Sequence, residues 1–175
     1  MHKIIKGSIE VIEQGEMFLK SVTPSSYKAI LTPYFTSSSG EHMRHIIDHF
    51  ISLEKGTTTG TVDYDSRNRN SNIERDQEIA LKKLLTIKQW LISLNPEILQ
   101  LKLNIKTETL ISEKYSARTQ SFFSRELIFT TSHAVHHFSI ISIAMKMQNL
   151  TIDKDFGIAP ATATHIRNTE KPCAP

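Results

Sequence analysis

Gly40-Glu41-His42-Met43-Arg44-His45-Ile46-Ile47-Asp48-His49 and, late in the chain, Ser132-His133-Ala134-Val135-His136-His137 together hold six of the eight histidines. Spacings of three, four and seven residues bring side chains onto one helical face, because about 3.6 residues make a turn. In the first stretch Met43, Ile46, Ile47, Phe50, Ile51 and Leu53 interleave with the histidines, so the imidazoles border the buried face of a helix running from Gly40 to Glu54. The second stretch lies in a predicted helix from Ser121 to Gln148 with apolar residues on more than one side: Phe122, Leu127, Ile128, Phe129, Val135, Phe138, Ile141, Ile143, Ala144 and Met147. A helix this apolar is expected at the centre of its fold. Two histidine faces turned toward each other there would make a metal site.

Outward from these two helices, Ile4, Ile5, Ile9, Ile12, Met17 and Phe18 predict a helix over residues 3 to 22, ended by Thr23-Pro24-Ser25-Ser26. The segment from Ile30 to Ser39 reads as a loop closing on a serine N-cap. Gly56 to Asn72 is almost devoid of apolar residues and reads as a long loop. A further helix is expected from Ile73 to Leu94, with Ile79, Leu81, Leu84, Leu85, Ile87, Trp90, Leu91 and Leu94 as its core stripe and Asn95-Pro96 as its stop. Strict alternation from Leu99 to Lys106 predicts a half-buried strand, with a hairpin partner between Thr109 and Ala117. The pattern is mainly α: four helices and one small hairpin before the last of them. The expected division is a helical domain over residues 1 to 152 and a C-terminal arm or tail over residues 153 to 175.

Composition bounds the rest. With 175 residues, 39% hydrophobic and 22% charged, the chain is long enough for one core without staples. A net charge of +3 is too slight to imply a nucleic-acid partner. Cys173, the only cysteine, excludes a disulfide framework and a cysteine-rich zinc site, and reads as an exposed tail thiol. The N-terminus has no apolar leader and no run approaches the ~18 apolar residues of a membrane helix, so a cytoplasmic location without membrane contact is the default expectation. The Asn149-Leu150-Thr151 sequon then has no glycosylation meaning.

A divalent transition ion takes neutral imidazole nitrogens at about 2.0–2.1 Å, and a His-x-x-x-His pair supplies two from successive turns. His133 and His137 have that spacing. A third ligand must come from another helix, where His42, His45 and His49 are candidates. Three protein ligands leave a position for water or substrate. Imidazoles alone do not decide among zinc, nickel, iron and copper.

The helix carrying His42, His45 and His49, the segment from Ser124 to Met145 and the later Asp155-Phe156-Gly157-Ile158-Ala159-Pro160-Ala161-Thr162 together resemble the DinB/YfiT-like superfamily of metal-dependent proteins. The similarity runs from about Ser37 to Thr162, and the histidine motifs are its most specific part. It implies an antiparallel four-helix bundle holding one divalent ion, zinc or nickel ahead of iron, on His45, His133 and His137. His45 matches because an acid, Asp48, follows it by three residues; His42 and His49 are additional in this chain. The superfamily includes thiol-dependent transferases and isomerases, so the resemblance implies a metal site more firmly than a substrate.

Two functions are therefore expected. One is a metal-dependent hydrolase or thiol transferase acting on a small molecule, with any thiol arriving as a cosubstrate. The other is a non-catalytic metal- or small-molecule-binding stress-response protein working as a homodimer. Asp48 and Glu126 are the only acids placed to act as a base beside the histidines, and Asp48 also reads as a group that orients His45. Tyr64 and Arg67 could reach a bound anion, although a solvated loop is the preferred reading of their segment, and Arg125-Glu126 reads as an ion pair supporting the helices.

Overall fold

The computed structural model describes residues 1–169. Cys173 and the end of the expected tail lie outside them. The chain is mainly helical with a small three-stranded sheet. Among the described residues six α-helices run α1 (Lys3–Ser21), α2 (Pro24–Lys28), α3 (Ser39–Thr59), α4 (Gln77–Ser93), α5 (Phe123–Met147) and α6 (Pro160–Thr169). The strands are β1 (Thr61–Asp63), β2 (Lys102–Glu108) and β3 (Ser116–Phe122).

Local chemistry sets the helix starts. Ser38 and Glu41 form a reciprocal capping box at α3: the Glu41 amide donates to Ser38 Oγ, and the Ser38 amide donates to Glu41 Oε2. Asp76 accepts from the Glu78 and Ile79 amides at the start of α4. At the other end of α3, Gly60 takes a left-handed φ of 72°, and its amide closes onto the Gly56 carbonyl. That reversal sends the chain straight into β1.

The four long helices pack in a cycle, α1 on α4, α4 on α3, α3 on α5 and α5 on α1. Their shared interior is built from Ile5, Ile12 and Leu19 of α1, Met43, Ile47 and Phe50 of α3, Leu84 and Leu91 of α4, and Phe123, Phe138 and Ile141 of α5, all buried. Gly15 lets α1 lie close to its neighbours, because a Cβ there would stand 2.9 Å from both Leu84 Cδ1 and Phe138 Cζ. The helix α5 is long and apolar enough to cross a membrane. Its buried residues pack instead against α1 and α3.

Four expectations need correction. The expected loop from Gly56 to Asn72 begins as the last turn of α3 and then forms β1, because Gly60 reverses the chain and Val62, its one aliphatic residue, is fully buried. The hairpin partner lies at Ser116–Phe122, later than expected, with Lys102 opposite Phe122 and Glu108 opposite Ser116. It is joined by a parallel neighbour, β1, with Val62 opposite Ile105, so the element is a three-stranded sheet in the order β1-β2-β3. A short helix, α2, interrupts the connection after α1, started by Pro24 and capped by Thr23, and its Tyr27 is fully buried with its hydroxyl donating to the Ile73 carbonyl. Met17, Leu85, Phe122, Ile128, Ile143 and Met147, counted in apolar stripes, are exposed.

After Asp153 the chain places Phe156 in the core, stacked 5.2 Å from Phe18 and 4.8 Å from Phe138, and then forms α6, which buries none of its residues. Gly157 makes this docking possible, with φ at 76° and an amide bonded to Gln14 Oε1.

Candidate metal centre

The first half of α3 faces the middle of α5, and five imidazoles meet between them. His42, His45 and His49 come from α3, and His133 and His137 from α5. His136, on the same helix, is exposed, although its ring centroid is 5.2 Å from that of His137. The shortest contacts are between nitrogens: His133 Nε2 stands 2.9 Å from His45 Nε2 and 3.2 Å from His137 Nε2. His42 adds a third contact, Nδ1 to Nδ1 of His137 at 2.9 Å. His49 stacks on His133 with ring centroids 4.4 Å apart and on Tyr64 at 4.8 Å.

Burial keeps these rings uncharged. Removal from water lowers the pKa of His45 and His49 to about 3 and that of His137 to about 2, with neighbouring histidines pushing the same way. His42 and His133 are lowered for the same first reason. Arg67 is close enough for its charge to lower His45, His49 and His133 further. Neutral imidazole is the form that ligates a metal.

Three histidines, His45, His49 and His133, each bring a ring nitrogen within 4.8 Å of the others, a set positioned to hold a metal ion. His133 Nε2 also stands between the Nε2 atoms of His45, at 2.9 Å, and His137, at 3.2 Å. Nitrogens bound to one ion at about 2.0–2.1 Å stand about 2.9–3.4 Å apart for angles between 90° and the tetrahedral value. Both nitrogen contacts of His133 fall in that interval. Hydrogen bonding accounts for them less well, because one Nε2 carries at most one proton and His133 faces two partners through that single atom. Nδ1 of His45 and of His49 is also buried without a partner among the described residues. The donor set fits a divalent transition ion.

The surroundings correct two expectations about neighbouring residues and add a partner to a third, the Arg125–Glu126 pair. Asp48 does not orient His45: its Oδ2 accepts from Arg44 Nη1 at 3.1 Å and from the Asn68 amide at 3.0 Å. Arg44 also donates through Nε to Glu74 Oε1 at 2.9 Å, and that oxygen takes the Asn70 amide at 3.1 Å. This buried cluster, which the sequence reading did not find, pins the segment carrying Arg67 beside α3. Tyr64, expected in a solvated loop, is buried, and its hydroxyl donates to Glu126 Oε2 at 2.9 Å and contacts Thr130 Oγ1 at 3.3 Å. Glu126 is itself buried, with Arg125 Nη1 3.8 Å from its other oxygen, so its main partner is Tyr64. The tyrosine joins Glu126 to the histidines through its stack on His49.

No protein-family model matches the chain. Its fold is that of a DinB-like protein of Bacillus subtilis, YjoA, whose crystal structure superposes with a TM-score of 0.60 over 89% of this chain and 99% of that one, at 13% identity. By sequence, 115 residues, 66% of the chain, are 28% identical to a protein of Rhizopus delemar named FK506-binding protein 5. The match spans 30% of that protein's length.

Proposed function

We propose that the chain is a divalent-metal-dependent enzyme of the DinB-like type, a four-helix bundle in which His45, His133 and His137 hold one ion, zinc or nickel ahead of iron, and leave a position for water or a small-molecule substrate. The observation that carries this reading is the approach of three Nε2 atoms from two helices to 2.9 and 3.2 Å, the spacing of adjacent ligands on a shared ion. The likeness of fold to a DinB-like protein supports it. When bound, such an ion would acidify a water or a cosubstrate thiol and polarise a substrate bond.

What the chain's own residues contribute is separable from the ion. Burial disfavours the imidazolium form of His45, His133 and His137, so a cation meets uncharged rings, each with one bare nitrogen. Arg67 offers a cation on the segment fixed by Asp48 and Glu74, suited to an anionic part of a substrate. The Glu126 carboxylate, held by Tyr64, is the buried acid nearest in the network to the ligands and the candidate for holding a proton during turnover. With this acid as proton holder the reading is an enzyme, a thiol-dependent transferase or hydrolase, in place of a passive metal-binding module.

Elemental analysis of the purified protein beside His45→Ala, His133→Ala and His137→Ala is the test. About one equivalent of metal in the parent and little in each variant is expected. Equal content in all four removes the metal centre. Transfer assays with low-molecular-weight thiols then separate the transferase from the hydrolase.

A further inference from the structure

Three ring nitrogens meet at the centre, but the contact made by a fourth histidine, His42, lies away from it and has its own logic. His137 points Nε2 at His133 and Nδ1 at His42 Nδ1, 2.9 Å away. His42 in turn sets Nε2 3.2 Å from Ser37 Oγ, just ahead of the capping box that starts α3. The result is a chain of groups: Ser37 Oγ, His42, His137, centre.

A neutral imidazole has one N–H and one bare nitrogen, so the His42–His137 contact can be filled in only two ways. If His42 donates from Nδ1, then His137 accepts at Nδ1, carries its proton on Nε2 and has no lone pair for a metal. If His137 donates from Nδ1, then His42 accepts at Nδ1, gives its own Nε2 proton to Ser37 Oγ, and leaves His137 Nε2 bare toward His45 and His133. Only the second arrangement is compatible with ligation. Metal-bound histidines generally donate their other ring N–H to a carboxylate, a carbonyl or water, which fixes the tautomer and the ring.

We propose that His42 is a positioning residue for the metal centre: its Nδ1 accepts a hydrogen bond from the Nδ1–H of His137 and its own Nε2–H donates one to Ser37 Oγ, holding His137 in the tautomer whose Nε2 is free. The inference rests on reading His137 as a ligand. His45 and His49 have no such acceptor, since their Nδ1 atoms are buried and unpartnered among the described residues. In this cluster the tautomer of His137 is thus set by the protein itself, by a residue that touches neither ion nor substrate.

The test uses the full chain labelled with 15N-histidine, together with zinc affinity measured by competition with a chromophoric chelator. In the metal-free parent, the ring 15N shifts of His137 are expected to show the proton on Nδ1. His42→Leu, which keeps bulk and loses the acceptor, should bind zinc about 10–100-fold more weakly, the usual loss on removing such an outer partner. His42→Asn, whose Oδ1 can stand where Nδ1 stood and accept the same proton, should recover most of the affinity; a role in packing alone would not separate these two variants. Ser37→Ala should weaken binding in the same direction by less. A His137 proton on Nε2 in the metal-free parent, or equal zinc affinity in His42→Leu and the parent, overturns the proposal. Should a variant not fold, the 15N measurement on the parent still decides. A parent that binds no zinc, nickel or iron refutes the metal reading instead, whatever tautomer His137 adopts.

Discussion

Tyr64 and Glu126 lie 62 residues apart in sequence, yet the tyrosine hydroxyl donates a 2.9 Å hydrogen bond to Glu126 Oε2 with both side chains buried. The tyrosine comes from the segment just after β1 and the glutamate from the first turn of α5. The bond therefore ties the sheet side of the molecule to the helix that carries His133 and His137. Tyr64→Phe keeps the stack on His49 and removes the donor. It is expected to lower stability by about 1–3 kcal/mol, the cost of leaving a buried acceptor short of a partner. A lower urea midpoint at unchanged slope checks it.

Arg44 stands between Asp48 and Glu74 with all three side chains buried. Arg44→Met is expected to destabilise the fold by about 3–5 kcal/mol, because two carboxylates lose the cation between them. Asp48→Leu should have a more local signature, fast hydrogen exchange at the Asn68 amide, which donates to Asp48 Oδ2. Unchanged protection at that amide would show that the segment carrying Arg67 is held by other contacts.

Gly157 cannot be replaced without moving its surroundings. A Cβ there would lie 2.6 Å from the Phe138 carbonyl carbon and from the Ser139 amide nitrogen, and φ at 76° adds strain of about 1–2 kcal/mol for an L-residue. Gly157→Ala is expected to lift Phe156 from its place between Phe18 and Phe138 and to speed proteolysis after Asp153. Gly7→Ala meets nothing within 4 Å and serves as the control.

The histidine pKa values give a signed pH dependence. Burial first, and then neighbouring histidines, lower His45, His49 and His137 from 6.5 to about 3, 3 and 2, so below 6.5 the unfolded chain binds protons that the folded chain refuses. Stability then rises with pH through this window and falls as acid is added from pH 6.5 toward 3. Chelator-treated protein should show this loss in melting temperature between pH 6.5 and 4. A bound metal should steepen it, since protons and ion compete for the same nitrogens. A flat profile would mean that the rings are open to water.

Much of the helical framework was legible because its signals are local. The apolar spacing of α1, the serine cap of α3, and Asn95-Pro96 after α4 each act within a turn or two of chain. The three-stranded sheet was only half legible. Alternation marked β2, but β1 holds three residues and gains its partners by parallel pairing across some forty intervening positions, which leaves no periodic trace. Two residues of the centre followed a similar division. His133 and His137 are marked as a pair by their own spacing, whereas helical spacing along α3 does not separate His42, His45 and His49, and only the family resemblance singled out His45.

The sequence by itself determined that two helices carry histidine faces, because a 3.6-residue period is a property of the backbone and of nothing farther away. The tertiary structure alone decided which nitrogens meet. Facing α3 across α5 points His45 at His133, turns His42 onto the back of His137 and commits Asp48 to Arg44 and the Asn68 amide. Such choices depend on the rotation of one packed helix against another and on which atoms are taken out of water together, and spacing along a single chain carries no record of either.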